Sequence, residues 1–288
     1  MKFLVIAALL FGVGFYLLIP SPSVVSPIPD TPQKQEKTSK DPDVLDQKIS
    51  LAIGIDLINY SLYVVDFTSN FVYEKNAAQI FTAASVNKMP ILAAVYHGAN
   101  TGTIDLDRVI TVQKNDIQDF GTGSIRYKGA GSTYSVKTLA KLMISQSDNT
   151  AAYIVSNHVV GLDKLQAYTT TLGLSQTDIA NNKTSNRDMA ILFRALYEKT
   201  ITNDAYTQEM LSFLKDTDFE NRLPANLPKH VSTYHKIGTE VRNIHDVGIV
   251  TDGSLAYYIG VFISDVTDEA KTEAKIAEIS KIVYDFML

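Results

Sequence analysis

Cysteine is missing altogether from this 288-residue chain. That excludes disulfides, thiolate chemistry and cysteine-based zinc sites. Histidine is scarce and scattered. His97, His158, His230, His235 and His245 show no HExxH-type spacing, so no metal centre is expected. There is no basic excess either. The 26 Lys and Arg against 31 Asp and Glu leave a formal net charge of −5, without the positive face that nucleic-acid binding requires. A glycine-rich phosphate loop is also lacking, since Gly121-Thr122-Gly123-Ser124 has no lysine after it. No cofactor is implied. What is present, 45% hydrophobic residues over this length, suffices for one sizeable globular domain or two intimate ones.

An uncharged apolar run extends from Phe3 to Ile19 behind Lys2. It is at the short limit of a membrane span and slightly long for a signal-peptide core. The proline-rich sequence after it offers no small-x-small cleavage site, which favours an uncleaved signal anchor over 1–19 rather than a cleaved signal peptide. Residues 20–43 are rich in Pro, Ser, Lys and Asp and cannot bury enough apolar surface to fold. They read as a disordered linker holding the domain 44–288 off the membrane. The body is expected to be exported and extracytoplasmic, anchored by its N-terminal segment, with secretion after cleavage as the alternative.

In the domain, residues 50–58 and 61–67 are predicted strands joined by a tight turn at Asn59-Tyr60. Helical periodicity follows. It runs over 135–145 behind Ser135 as N-cap, over 150–160, over 162–173 ending on Gly173, and over 184–199 with Ser185 and Asp188 in capping-box-like spacing. Strand patterns return at 231–237, 245–250 and 256–264, with a hairpin signal at 251–254. An amphipathic helix over 267–287 closes the chain. Strands at both ends with helices between them predict an α+β fold. One antiparallel sheet from both chain ends is flanked by terminal helices, with an inserted all-helical subdomain. The cleft is expected where the two halves meet.

Three short motifs stand in order: Ser85-Val86-Asn87-Lys88, Ser147-Asp148-Asn149 and Lys236-Ile237-Gly238. A serine hydroxyl needs a base to become a nucleophile. Lys88 lies one helical turn after Ser85 on the same face. Burial and a second cation would lower its pKa and let it act as that base. Taken alone, Ser85 and Lys88 could equally be ordinary residues on a helix. All three motifs in this order resemble the penicillin-recognising serine hydrolases, closest to class A β-lactamases, over essentially all of 48–288.

The resemblance implies a role for each residue. Ser85 is the nucleophile and Lys88 its base. Ser147 carries the proton to the departing nitrogen, and Lys236 is the second cation and attracts an anionic substrate. Asn149 holds the substrate's side-chain amide, and Phe120 in Asn115–Phe120 sits at the cleft mouth. Gly238 and Thr239 belong to the substrate-pairing edge strand. The N–H groups of Ser85 and Thr239 form the oxyanion hole. The implied partners are β-lactams or D-Ala-D-Ala-type peptidoglycan peptides. Asp148 is expected as a cap between helices, Arg222 as a structural ion-pair partner, and His235 and His245 as non-catalytic groups on strand faces.

The chain also departs from that family. Between Gly173 and Arg187 there is no glutamate to activate the deacylating water; Asp178 is the only acid, in a shortened loop. Acylation should survive this and deacylation should be slow, since a general base typically supplies about 10²–10⁴-fold. Ile237 replaces the usual hydroxyl of the third motif, with Arg242 or His245 as candidate replacement donors. The segment leading from this motif to the next strand looks longer than the family's turn. Pro90 is expected to bend the helix near the nucleophile. These departures keep open a non-catalytic alternative, a pseudo-enzyme that binds cell-wall peptide or a protein partner.

Overall fold

The computed structural model describes residues 40–54 and 59–288. The expected anchor over 1–19 and nearly all of the linker lie outside the described residues. Among the described residues, no helix is long and apolar enough to cross a membrane.

The domain begins with helix α1 (Pro42–Ile53), not with a strand over 50–58. Asp41 caps it, Pro42 stands at its first turn, and Leu45, Ile49 and Ile53 form one buried stripe at a spacing of four. The helix stops at Gly54, and residues 55–58 lie outside the described residues. Asn59 and Tyr60 are not a turn. They open strand β1 (Asn59–Asp66), which is followed by β2 (Val72–Lys75) and the short β3 (Ile80–Thr82).

The middle of the chain is mostly helical. It runs through α2 (Lys88–Asn100), β4 (Val109–Thr111), α3 (Ile125–Lys128), β5 (Thr133–Ser135), α4 (Val136–Ser145) and α5 (Asn149–Ile154). It continues through α6 (Leu162–Thr171), β6 (Lys183–Ser185), α7 (Asn186–Tyr197) and α8 (Asp204–Phe213). The pairs β4–β5 and β3–β6 qualify the expectation of a purely helical insertion. Predicted caps are in place: Ser135 accepts from Thr138 N–H, and Ser185 from Asp188 N–H.

The chain returns to the sheet with β7 (Ser232–Glu240), β8 (Asn243–Thr251) and β9 (Ala256–Ser264), then ends in α9 (Glu269–Met287). The sheet order is β2-β1-β9-β8-β7, antiparallel throughout. Both chain ends therefore build one sheet. The link from β7 to β8 is not long. Strand pairing continues to Glu240↔Asn243, leaving a two-residue turn with Arg242 at φ 59°.

Strand β9 shows why the sheet needs cover on both sides. Tyr257, Ile259, Val261 and Ile263 alternate onto the face packed by α1 and α9, while Tyr258 and Phe262 join the core formed with the helical insertion. All six are buried, as expected for a central strand covered on both faces.

Candidate active site

Ser85 sits in a 3-10 turn (Ala84–Asn87) that leads directly into α2, whose first residue is Lys88. The N–H groups at such a start have no intrahelical partners, which leaves that of Ser85 available to a ligand. Pro90 is only the third residue of α2, where a missing N–H breaks no helical bond. The expected bend is therefore unnecessary, and the helix runs on to Asn100.

The three motifs converge where the sheet meets the helical insertion. Lys88 Nζ donates to Ser147 O at 2.6 Å, Ser147 Oγ at 3.1 Å and Asn149 Oδ1 at 2.7 Å. Lys236 Nζ also donates to the same Ser147 Oγ at 3.0 Å and to Ile237 O at 3.1 Å. Both lysines are buried. Burial lowers the Lys88 pKa to about 7 against an opposing pull from Asp148. Lys236 is lowered well below its ordinary value, first by burial and then by the charges of Lys88 and Arg222. An ammonium has three donors, and all three of Lys88 are spent on these partners. Among the described residues, no hydrogen bond joins it to Ser85 Oγ. Only the neutral amine has a lone pair free to take the serine proton, and the lowered pKa makes that form accessible.

Local backbone explains how the middle motif is aimed. Ser147 lies between α4 and α5 with φ 51°, a conformation that non-glycine residues adopt at a cost. Thr122 Oγ1 donates to Ser147 O and helps hold it. Asp148 caps α5 through Ala151 N–H and also accepts from Ile125 N–H, so it is structural, as expected. Asn149 Nδ2 donates to Phe120 O at 3.1 Å. Phe120 itself is 64% exposed and contributes no ring to the core, in keeping with a place at the mouth.

The edge strand β7 presents alternate residues to this centre. Lys236 reaches Ser147, and Gly238 lies against the turn that carries Ser85. A Cβ on Gly238 would stand 2.9 Å from Ala83 O and 3.0 Å from Val86 Cγ2. Glycine is required by that approach. The other face of β7 carries His235, Ile237 and Thr239. Thr239 Oγ1 accepts from Arg222 Nη2 at 2.6 Å. Arg222 also donates to Gly238 O, His245 O and Glu273. It is the expected ion-pair residue and, beyond that, it orients Thr239, a link between distant segments that no local sequence signal announces.

Both candidate replacement donors for Ile237 have other partners. Arg242 is paired with Asp265 at the exposed hairpin turn. His245 is fully buried, and its pKa is lowered to about 4, chiefly by that burial. Its Nδ1 accepts from Ile263 N–H, which leaves Nε2–H to donate to Thr82 O at 2.8 Å. It braces the strand before Ser85 instead. His235 is likewise enclosed, between Asp246 at 2.8 Å and Glu220 at 3.2 Å, and is held protonated with a pKa raised to about 9.

The shortened loop offers no carboxylate to the serine. Asp178 closes on itself, accepting from Asn181 N–H and Nδ2, bonds that lower its pKa and weaken it as a base. It also lines a cavity of about 640 Å³ to which none of Ser85, Lys88, Ser147 and Lys236 contributes. Asn182 instead approaches the turn that carries Ser85. Its carbonyl accepts from Ala83 N–H at 2.8 Å and its side-chain Oδ1 from Asn87 Nδ2 at 3.0 Å. Among the described residues, no group of three metal-ligating side chains is placed to hold an ion.

Comparison with known proteins agrees with this geometry. A profile described as "Beta-lactamase enzyme family" matches residues 45–287. Beta-lactamase VEB-1 of Pseudomonas aeruginosa is 26% identical over 80% of this chain and 86% of its own. A beta-lactamase of Bacteroides uniformis is 28% identical over 72% of this chain and 79% of its own. Among solved structures, PBP-A superposes with a TM-score of 0.79 at 26% identity, covering 84% of this chain and 95% of PBP-A. A beta-lactamase from Sphaerobacter thermophilus shares the fold, with a TM-score of 0.79 at 22% identity over 85% of this chain and 97% of its own. With its profile matched across nearly the whole described domain and its three motifs brought together, this chain belongs to the beta-lactamase enzyme family, as a serine hydrolase of the class A type.

Proposed function

We propose that Ser85 is acylated by β-lactams or by D-Ala-D-Ala-type peptides, and that the resulting ester is hydrolysed slowly. The observation that carries this reading is the placement of Ser147 Oγ between the two buried amines of Lys88 and Lys236. Neutral Lys88 takes the Ser85 proton as Oγ attacks the carbonyl carbon. The tetrahedral oxyanion is held by the N–H groups of Ser85 and Thr239. Its collapse breaks the C–N bond, and the proton passes through Ser147 to the departing nitrogen, leaving Lys88 neutral again.

Slow hydrolysis is supported by the self-closed Asp178 and the absence of glutamate from 174–186. One of the solved neighbours, a mutant of PBP-A, is an acyl-enzyme complex with penicillin G, with 26% identity to this chain. The N-terminal apolar run is proposed to anchor the domain outside the cytoplasm, which fractionation of the full-length protein tests.

Incubating the protein with a fluorescent penicillin and following intact mass tests the chemistry. A lasting adduct that maps to Ser85 and is lost in Ser85→Ala is expected. Rapid product release would replace slow hydrolysis with efficient β-lactamase turnover. No adduct at all would favour the non-catalytic alternative.

A further inference from the structure

The ester's water needs a base, and the loop does not supply one. We propose that Glu240, at the end of β7, is the base for the residual deacylation, with Asn182 and Asn87 holding the water. This inference rests on the acyl-serine reading above.

Strand alternation places Glu240 on the face of Lys236 and Gly238. Lys236 meets Ser147 and Gly238 meets the Ser85 turn; Glu240, next in the series, meets the loop. Its Oε2 accepts from Asn182 Nδ2 at 3.3 Å. Asn182 Oδ1 in turn accepts from Asn87 Nδ2, two residues after Ser85. A chain of polar groups thus runs from an exposed carboxylate to the turn that carries the nucleophile.

An independent observation points to a ligand at its inner end. Asn87 is 6% exposed, and its Oδ1 is a buried acceptor with no donor from the protein. Buried acceptors are normally satisfied, and where the chain gives no donor a water is the smallest group that can. A water donating one hydrogen to Asn87 Oδ1 has its second for the Glu240 carboxylate.

The step balances without any co-reactant. The water oxygen bonds to the acyl carbon while Glu240 takes its proton. The C–Oγ bond then breaks, and Ser85 Oγ recovers that proton. The products are a carboxylic acid, free Ser85 and ionised Glu240. An exposed carboxylate on a strand end, rather than a loop glutamate enclosed beside the ester, fits a hydrolysis that is slow but finite.

The test separates the two half-reactions in the full-length protein with penicillin G, by intact mass after rapid mixing and after removal of free drug. Glu240→Gln keeps the side chain's size and its acceptor for Asn182. It is expected to leave acylation within about threefold and to lengthen the adduct lifetime roughly 10²-fold or more. Asn87→Leu should lengthen the lifetime in the same direction, and Glu240→Asp should recover part of the rate. Equal adduct lifetimes in wild type and Glu240→Gln would overturn the role of Glu240 while leaving acylation intact. No adduct in the wild type would overturn both.

Discussion

Lys88 and Lys236 share one oxygen: their amines lie 3.1 and 3.0 Å from Ser147 Oγ. Two cations that close cannot both keep ordinary pKa values in a buried site. The consequence for Lys88 is a pKa lowered to about 7, so its neutral form is accessible near that pH. The acylation rate should rise about tenfold per pH unit below 7 and level off above it, because the reactive form is the neutral amine. Stopped-flow acylation across pH 5–9 measures this. Lys88→Gln should lose at least about 10²-fold at every pH and flatten the profile. A wild-type profile that falls as pH rises through 7 would remove Lys88 as the base.

His235 gives a prediction about stability. Its folded pKa, about 9, lies above the ordinary histidine value, with Asp246 and Glu220 as the favourable partners that outweigh its burial. The proton is therefore bound more tightly in the folded state. The stabilisation is fully present below about pH 6.5 and is lost as pH rises through about 9. Urea unfolding between pH 6 and 10 should show that loss in the wild type and a flatter curve in His235→Gln. Removing one partner of a buried ionic cluster should cost about 3–5 kcal/mol at pH 6.

Gly238 separates positioning from chemistry. Gly238→Ala would push Cβ against Ala83 O, a backbone atom that moves only with the turn bearing Ser85. The expected cost is about 1–3 kcal/mol of stability. The rate of acylation should fall with its pH dependence unchanged, since both lysines stay in place. A shifted pH profile would show that the strand controls the base rather than the nucleophile's position.

Ile237 is buried on the strand face shared with Thr239, which Arg222 orients. Ile237→Thr would add a hydroxyl to that face. That face is turned away from Ser147, so kcat/KM for acylation by penicillin G should stay within about threefold, and the added buried hydroxyl should cost about 1–3 kcal/mol of stability if it gains no partner. A gain for penicillin G that a drug ester lacking the carboxylate does not share would show instead that the hydroxyl reaches the substrate. Equal gains for both would locate the effect in packing.

Much of this was legible in the sequence, and the misses have physical causes. The three motifs fixed the site because each is short, local and set at a helix start or strand. The caps Ser135 and Ser185 were readable for the same reason. Helix α1 was missed because an apolar stripe at spacing four, ending in a run of alternating apolar residues, mimics a strand at its C-terminal end. Pro90 looked like a bend because periodicity alone starts the helix at Ser85 rather than Lys88. The turn after Thr239 looked long because pairing to Asn243 depends on the partner strand. Arg222 with Thr239, and Glu240 with Asn182, join segments far apart in the chain and carry no local pattern.

The sheet's order has a consequence for how this protein comes into being. Strand β1 pairs with β9, Asn59 opposite Ser264, across most of the domain's length. Such closure has a high entropic cost and is slow to find. During synthesis the helical insertion can form early. The cleft cannot, because the strand bearing Lys236 and the two strands, β8 and β9, that join it to β1 emerge late. A chain stopped short of β9 would carry Ser85, Lys88 and Lys236 yet leave β7 and β8 unattached to β1, so reactivity should appear all at once, when β9 is made.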